Sequence, residues 1–325
     1  VNVLRNPIAL SLVSILLLSG VDAYAQAYPT KPIRIIDPWA PGGGSEQVSR
    51  PLAAKLSDAL GQNVFIEAKP GASSIIGTDF VARSVPDGYT LLMGSKTITT
   101  NATLYKKLPY DSVRALTPIS IVSKTPFFVV VNGALPANSV KDLIQLAKSQ
   151  PGKINLASSG TGTAPHLAGE MFALEAGIKF LHIPYKGNGP ALLDLLKGDV
   201  QLLFTGLSAV APHVKAGKLK LLAYAGQKRS PQMPDIPTVA ESGLPNFEGN
   251  TWYGLFGPAG LPREIRDRLA MEVAKIMQTK DMQDRFVAMS AEPVWNTPDE
   301  FAALFKEEMV KQAAVVKASG ASLEF

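Results

Sequence analysis

Pro41-Gly42-Gly43-Gly44-Ser45 follows the apolar run Ile33–Ile36, and Ser158-Ser159-Gly160-Thr161-Gly162-Thr163 follows Ile154–Ala157. Each glycine-rich stretch stands where a strand pattern gives way to a helix pattern. After the first, Val48, Leu52, Leu56 and Leu60 recur every four residues, the spacing of one helix face. A helix start carries unpaired backbone N–H groups and partial positive charge, so it holds an anion without a charged side chain. Glycine lets the backbone approach a ligand closely. Two such junctions in one chain predict two walls of a cleft around a small anion, although either loop alone also fits a plain tight turn.

Working outward, strand and helix patterns alternate, which predicts an α/β fold with mostly parallel sheets. Val64–Ile66 and Thr90–Met93 read as strands, the latter after the turn Pro86-Asp87-Gly88-Tyr89. Ser95 and Lys96 then fall at a strand's C-terminal end, where open α/β sheets place ligands. A second, doubly wound run begins with strand Phe127–Val131. Ser139 and Asp142 have capping-box spacing before the next helix. Strands Ile154–Ala157, Phe180–Ile183, Val200–Phe204 and Leu219–Ala225 then alternate with helices Pro165–Ala176, Pro190–Lys197 and Ala209–Ala216. Trp252–Phe256 reads as a returning strand. Helices Pro262–Gln278, Met282–Ala288 and Pro298–Ala318 close the chain, the last with Thr297 as N-cap. These helices have no sheet of their own and are expected to pack back on the first unit. The chain then crosses twice, near Pro126 and near Phe247, giving a hinge that permits closure. The expected boundaries are 1–25 for an export signal, 26–126 with 247–325 for one lobe, and 127–246 for the other.

The signal reading rests on Arg5, the apolar stretch Ile8–Leu18 and the small-x-small site Ala23-Tyr24-Ala25, with cleavage after Ala25. Cysteine is absent, which excludes disulfides and thiol chemistry, and 46% hydrophobic content suffices for two cores. The formal charge of +5 is mild, and lysines and arginines are scattered without interleaved aromatics, so nucleic acid is not an expected partner.

Chemistry-bearing motifs are sparse. Gln47 and Pro165 stand where a dinucleotide fingerprint needs its third glycine, and neither loop ends in the Gly-Lys-Ser/Thr of a phosphate loop. No cofactor is expected. His166 and Glu170 share a helical turn, but His182 and His213 complete no recognised metal spacing, and no Gly-x-Ser-x-Gly occurs. His166 reads as an orienting residue at the cleft edge or an ordinary helix contact. Ser158, Ser159, Thr161 and Thr163 offer neutral donors suited to a carboxylate, with Thr163 the best candidate N-cap. Tyr185, in the glycine loop Tyr185–Gly189, and Thr205-Gly206 lie on the same sheet edge. Lys96 suits a ligand carboxylate, although a solvated surface lysine is the more usual case. Trp39 and Trp252 suit an apolar lid or the core.

Several segments, in this order, resemble one family. They are Pro41–Gly44, Pro86–Leu92, Leu104–Asp111, Ala157–Thr163 with His166–Glu170, His182–Gly187, Pro234–Gly243 and Trp252–Phe256. The chain is similar over nearly its whole mature length to the periplasmic solute-binding proteins of tripartite tricarboxylate transporters, the Bug proteins. The resemblance implies a type II periplasmic binding-protein fold: two doubly wound α/β lobes joined by two crossing strands. It implies capture of a small organic acid between the lobes, by a monomer, and delivery to integral-membrane permease subunits, without enzymatic chemistry. On it, the two glycine loops grip one ligand carboxylate, partly through ordered waters. The residues expected to face the ligand are Trp39, Ala40, Gly42, Gly43, Ser45, Ser95, Lys96, Ser158, Ser159, Gly162, Thr163, Ala164, His166, Tyr185, Thr205 and Gly206. Glu46, Ala164 and Thr205 depart from the family's commoner Asp, Ser and Asp. Losing the acid at Thr205 disfavours amino acids against dicarboxylates or aromatic acids, and Lys96 on the opposite wall suits a second carboxylate. A sensor component presenting its solute to a membrane receptor is the alternative within binding proteins. A carboxylate-processing enzyme is the alternative outside them, and its expected triad, metal cluster or cofactor loop is missing from the sequence.

Overall fold

The computed structural model describes residues 28–245 and 247–319. The export signal and its cleavage site, Asn246 at a lobe boundary, and Leu323–Phe325 lie outside the described residues.

Two sheets organise the chain. The first holds β1 (Ile33–Asp37), β2 (Val64–Ala68), β3 (Thr90–Ser95), β4 (Leu116–Pro126), β10 (Asn250–Pro258) and β11 (Glu292–Pro293), in the order β11-β4-β10-β3-β1-β2. The second holds β5 (Phe128–Asn132), β6 (Asn155–Ser158), β7 (Leu181–Pro184), β8 (Leu202–Thr205) and β9 (Leu219–Tyr224), in the order β7-β6-β8-β5-β9. Strands β1, β2 and β3 run parallel, as do β7, β6 and β8. Helices make the crossovers: α1 (Gly44–Leu60), α2 (Ile75–Ala82) and α3 (Thr97–Leu104) in the first unit, α4 (Val140–Ser149), α5 (Ala164–Ala176), α6 (Asn188–Lys197) and α7 (Leu207–Lys215) in the second. The chain closes with α8 (Arg263–Met277), α9 (Lys280–Ala288) and α10 (Pro298–Ser319).

Alternation along each strand feeds two cores per sheet. Ile33, Ile35, Leu91 and Met93 pack under α1 and α8, while Ile36, Leu92 and Phe256 pack on the opposite face with Phe301 and Phe305 of α10. In the second sheet Val129 and Val131 face one core, Phe128 and Val130 the other. Helices therefore cover both faces, and the α/β fold of doubly wound sheets follows from the sequence pattern.

The crossing between sheets is a backbone knot of three strands. Phe127 N–H donates to Gly249 O at 2.9 Å, and Ala225 N–H donates to Phe127 O at 2.8 Å. Some details depart from expectation. Strand β5 pairs antiparallel with both β8 and β9, and β10 with both β3 and β4, so each sheet is mixed rather than mostly parallel. Strand β4 escapes a periodicity reading because Pro118, Ser120 and Ser123 interrupt its apolar residues. Its ladder with β10 shifts register twice, which absorbs the irregularity. Helix α3 reads in sequence as a β-branched run; contact with α10 and α5 overrides that propensity. Helix α10 packs on the first sheet as expected, but it also touches α5 of the second unit.

Candidate functional site

Five helix starts converge on one cavity between the two sheets: those of α1, α3, α5, α6 and α7. The glycine loops put them there. Gly43, Gly187 and Gly206 are the N-caps of α1, α6 and α7, and Thr163 is that of α5. At none of the five does the N-cap side chain accept a hydrogen bond from a helix N–H. Thr163 takes the N-cap position as expected, yet its hydroxyl donates to Gly160 O at 2.7 Å. By contrast, α4 and α9 are capped by Ser139 and Thr279, and Thr297 with Glu300 forms a reciprocal box before α10. These three begin away from the cavity, while α2 and α8 also lack a side-chain cap. Free N–H groups and the positive ends of five helix dipoles thus face one space.

No Asp, Glu, Lys, Arg or His lines that space among the described residues. Its wall combines apolar groups, such as Trp39, Phe127, Tyr253 and Met289, with the hydroxyls of Ser45, Ser95, Ser159, Thr163 and Thr205. The Ser95 hydroxyl is buried without a hydrogen-bond partner, and so is the amide oxygen of Asn188. The cavity measures about 100 Å³. An engineered cavity of roughly 150 Å³ holds benzene, so the space suits a small acid rather than a nucleotide.

Trp39, Ala40, Gly43, Ser45, Ser95, Ser159, Thr163, Ala164, Thr205 and Gly206 all line the cavity. Six expected residues do not. Lys96 is tied to Glu308 at 3.3 Å and to Asn250 Oδ1 at 3.2 Å, so its charge is spent on α10 and β10 rather than on a ligand's second carboxylate. Tyr185 donates its hydroxyl to Asp194 at 2.9 Å. Gly42 N–H donates to Glu46 at 2.5 Å, and Glu46 also accepts from Arg50, which turns this acid from the cavity. Ser158 is buried behind the second glycine loop, 2.6 Å from His182 Nε2 and bonded to Gly160. Gly162 presses against Leu104 of α3 rather than opening to the ligand space. His166 lies beneath the same loop, where its Nδ1 accepts from Gly162 N–H at 3.0 Å; it orients the loop. Trp252 belongs to the core, not to a lid.

Sequence reasoning missed Asn188, Gln47 and Ser208. Asn188 follows Gly187 at a helix start, a signal present in the same glycine loop as Tyr185. Gln47 and Ser208 meet across the cavity, the serine hydroxyl donating to Gln47 Oε1 at 2.6 Å. Their meeting depends on how the two sheets face each other, so no local pattern announces it.

Under the second loop the rings of His166 and His182 stack at 3.8 Å. Burial, and then the neighbouring His166, push the His182 pKa down to about 4. The Glu170 carboxyl is held low by His166, whose Nε2 lies 3.6 Å from its Oε1. His182 stays neutral in the fold while its unfolded counterpart titrates near the ordinary histidine value of 6.5. Its contribution to stability is therefore complete above pH 6.5 and is lost as pH falls towards 4. His182→Asn should flatten the profile of urea midpoint against pH in that window. Parallel loss of stability in variant and parent would locate the acid sensitivity elsewhere.

The description "Tripartite tricarboxylate transporter family receptor" belongs to the family model that matches residues 48–321. The chain is 37% identical to Protein BugT of Bordetella pertussis (strain Tohama I) over 302 residues, 92% of this chain and 93% of that one. It is similar to the solved periplasmic binding protein BugD, with TM-score 0.86 and 34% identity over 92% of this chain and all of that one. An R. palustris protein solved with adipate matches at TM-score 0.88 and 31% identity, with 92% of this chain and 100% of that chain covered. A match of this extent, on a fold whose close likenesses are periplasmic binding proteins, means that the chain belongs to the tripartite tricarboxylate transporter receptor family, the Bug proteins.

Proposed function

We propose that this protein captures a small carboxylate, a dicarboxylate or an aromatic acid, in the cavity between its sheets. It then delivers the acid to the permease subunits of a tripartite tricarboxylate-type transporter. The observation that carries this reading is the convergence of five uncapped helix starts on a cavity without a charged side chain. Fixed dipoles favour an anion there, and the apolar wall suits a short hydrocarbon frame. Adipate in the R. palustris relative is an acid of this kind. Lys96 has no part in the reading; a second carboxylate would be met by hydroxyls such as that of Ser95 and by ordered water.

In this reading residues 26–126 with 247–325 form one lobe and 127–246 the other, hinged where Phe127 meets Gly249. The protein acts as a monomer in the periplasm after cleavage behind Ala25, and it alters no covalent bond. Closure removes water from the acid and strengthens each hydrogen bond to it. A thermal-shift screen of the mature chain against mono-, di- and tricarboxylates, aliphatic and aromatic, tests the proposal. At 100 times its Kd a ligand adds about 2.7 kcal/mol of stability, so at least one acid should raise Tm by several degrees. A flat response to every acid would reject it.

A further inference from the structure

Directly behind the cavity wall, Asp37 ends β1 with its carboxyl buried and 3% exposed. One oxygen accepts from Trp39 N–H at 3.2 Å, the other from the Ser49 hydroxyl at 3.1 Å. Trp39 and Tyr253, which adjoin this carboxyl, both line the cavity, as does Ser45. No cation pairs with Asp37 among the described residues. From α1 it faces Glu46, whose charge is shared with Arg50; from β10 it faces the phenol of Tyr253. From the β2 side the Lys69 N–H donates to the backbone carbonyl of Asp37, not to its carboxyl, and the Lys69 ammonium is paired with Glu67. Strand β3 carries no titratable side chain towards it. An acid with no cation beside it, almost wholly shielded from solvent, therefore stands next to a site built for anions.

We propose that Asp37 couples capture of the acid to uptake of a proton, its carboxyl becoming neutral when an anion fills the cavity. This rests on the carboxylate-binding reading above and concerns regulation of that same site. The physical reason is like-charge repulsion in a medium that screens poorly. A second negative charge behind one wall opposes the ligand, and a proton taken from solvent on to Asp37 removes it. The free protein is already poised for this. Burial, helped by Glu46, raises the Asp37 pKa to about 6 against the pull of the nearby Ser45 hydroxyl and of the Trp39 and Ser49 hydrogen bonds. A bound anion raises it further, and affinity must fall as pH climbs past that value, about tenfold for each unit by which the ligand lifts it. Capture would then be tightest in a mildly acidic compartment.

Titration calorimetry with adipate tests this at pH 6.5 and 8.5, where the ligand stays a dianion, in two buffers of different ionisation heat. The parent should bind several-fold more weakly at pH 8.5, and its apparent enthalpy at pH 6.5 should differ between buffers because a proton is taken up. Asp37→Asn keeps an acceptor for Trp39 N–H and gives Ser49 a donor. It should bind equally at both pH values, with the same heat in both buffers. Equal affinity and buffer-independent heat in the parent would overturn the role of Asp37 while leaving the carboxylate reading intact. Should adipate and the acids of the thermal-shift screen fail to bind parent and variant at either pH, the binding reading falls and takes this inference with it.

Discussion

Gly162→Ala is expected to weaken ligand capture by one to two orders of magnitude while the two sheets stay folded. Gly162 sits at φ +77, a conformation that costs an L-residue about 1–2 kcal/mol. A Cβ there would lie 1.9 Å from Leu104 Cδ2. Leu104 cannot simply swing aside: it is buried and packs with Leu167 of α5 and Val316 of α10. Leu104 belongs to the first sheet's helices and Gly162 to the second sheet's loop, so the methyl group wedges the two units apart. Nearby, Ser73 donates its hydroxyl to Thr161 O at 2.9 Å across the same seam. A control separates wedge from strain. Gly42 has a similar φ of +83 with nothing within 4 Å of its Cβ position, so Gly42→Ala carries backbone cost alone. Calorimetry with adipate and small-angle scattering should show Gly162→Ala weak and more open, with Leu104→Ala restoring part of the loss. Tight binding by Gly162→Ala would remove the seam from the closure argument.

That seam also marks the limit of what the sequence can tell. Features decided within one helical turn or one loop are legible: the α1 stripe from Val48 to Leu60, the boxes Ser139/Asp142 and Thr297/Glu300, and the glycine loops themselves. Whether a polar side chain reaches the cavity is decided by a partner far along the chain. Lys96 looks like a ligand cation until Glu308, on the last helix, is seen beside it. Tyr185 looks like a ligand-facing residue until Asp194 takes its hydroxyl, and Ser158 like a ligand donor until Gly160 O and His182 are seen to engage it. Asp37 is not legible in the sequence because a single acid at a strand end has no pattern; only burial without a cation makes it unusual.

Trp252→Ala should be the most destabilising of the single substitutions considered, at about 3–5 kcal/mol for truncation of a fully buried aromatic. The residue sits on β10, which pairs with both β3 and β4 in the middle of the first sheet. Its indole meets Phe301 edge-on at 5.6 Å and Phe305 at 6.2 Å, with Phe256 at 6.3 Å. Phe301 and Phe305 are the residues by which α10 grips the sheet, so the void undermines the helix that also braces α3 and α5. Midpoints of urea or thermal unfolding measure the loss. Trp252→Phe should cost much less: the indole N–H has no hydrogen-bond partner in that pocket, and removing it leaves no acceptor orphaned. The pair of variants also tests the assignment of this residue to the core rather than to a lid. A lid tryptophan, once truncated, would lower ligand affinity and leave Tm near that of the parent. A core tryptophan lowers Tm, while the fraction that remains folded below the new transition binds its acid as before.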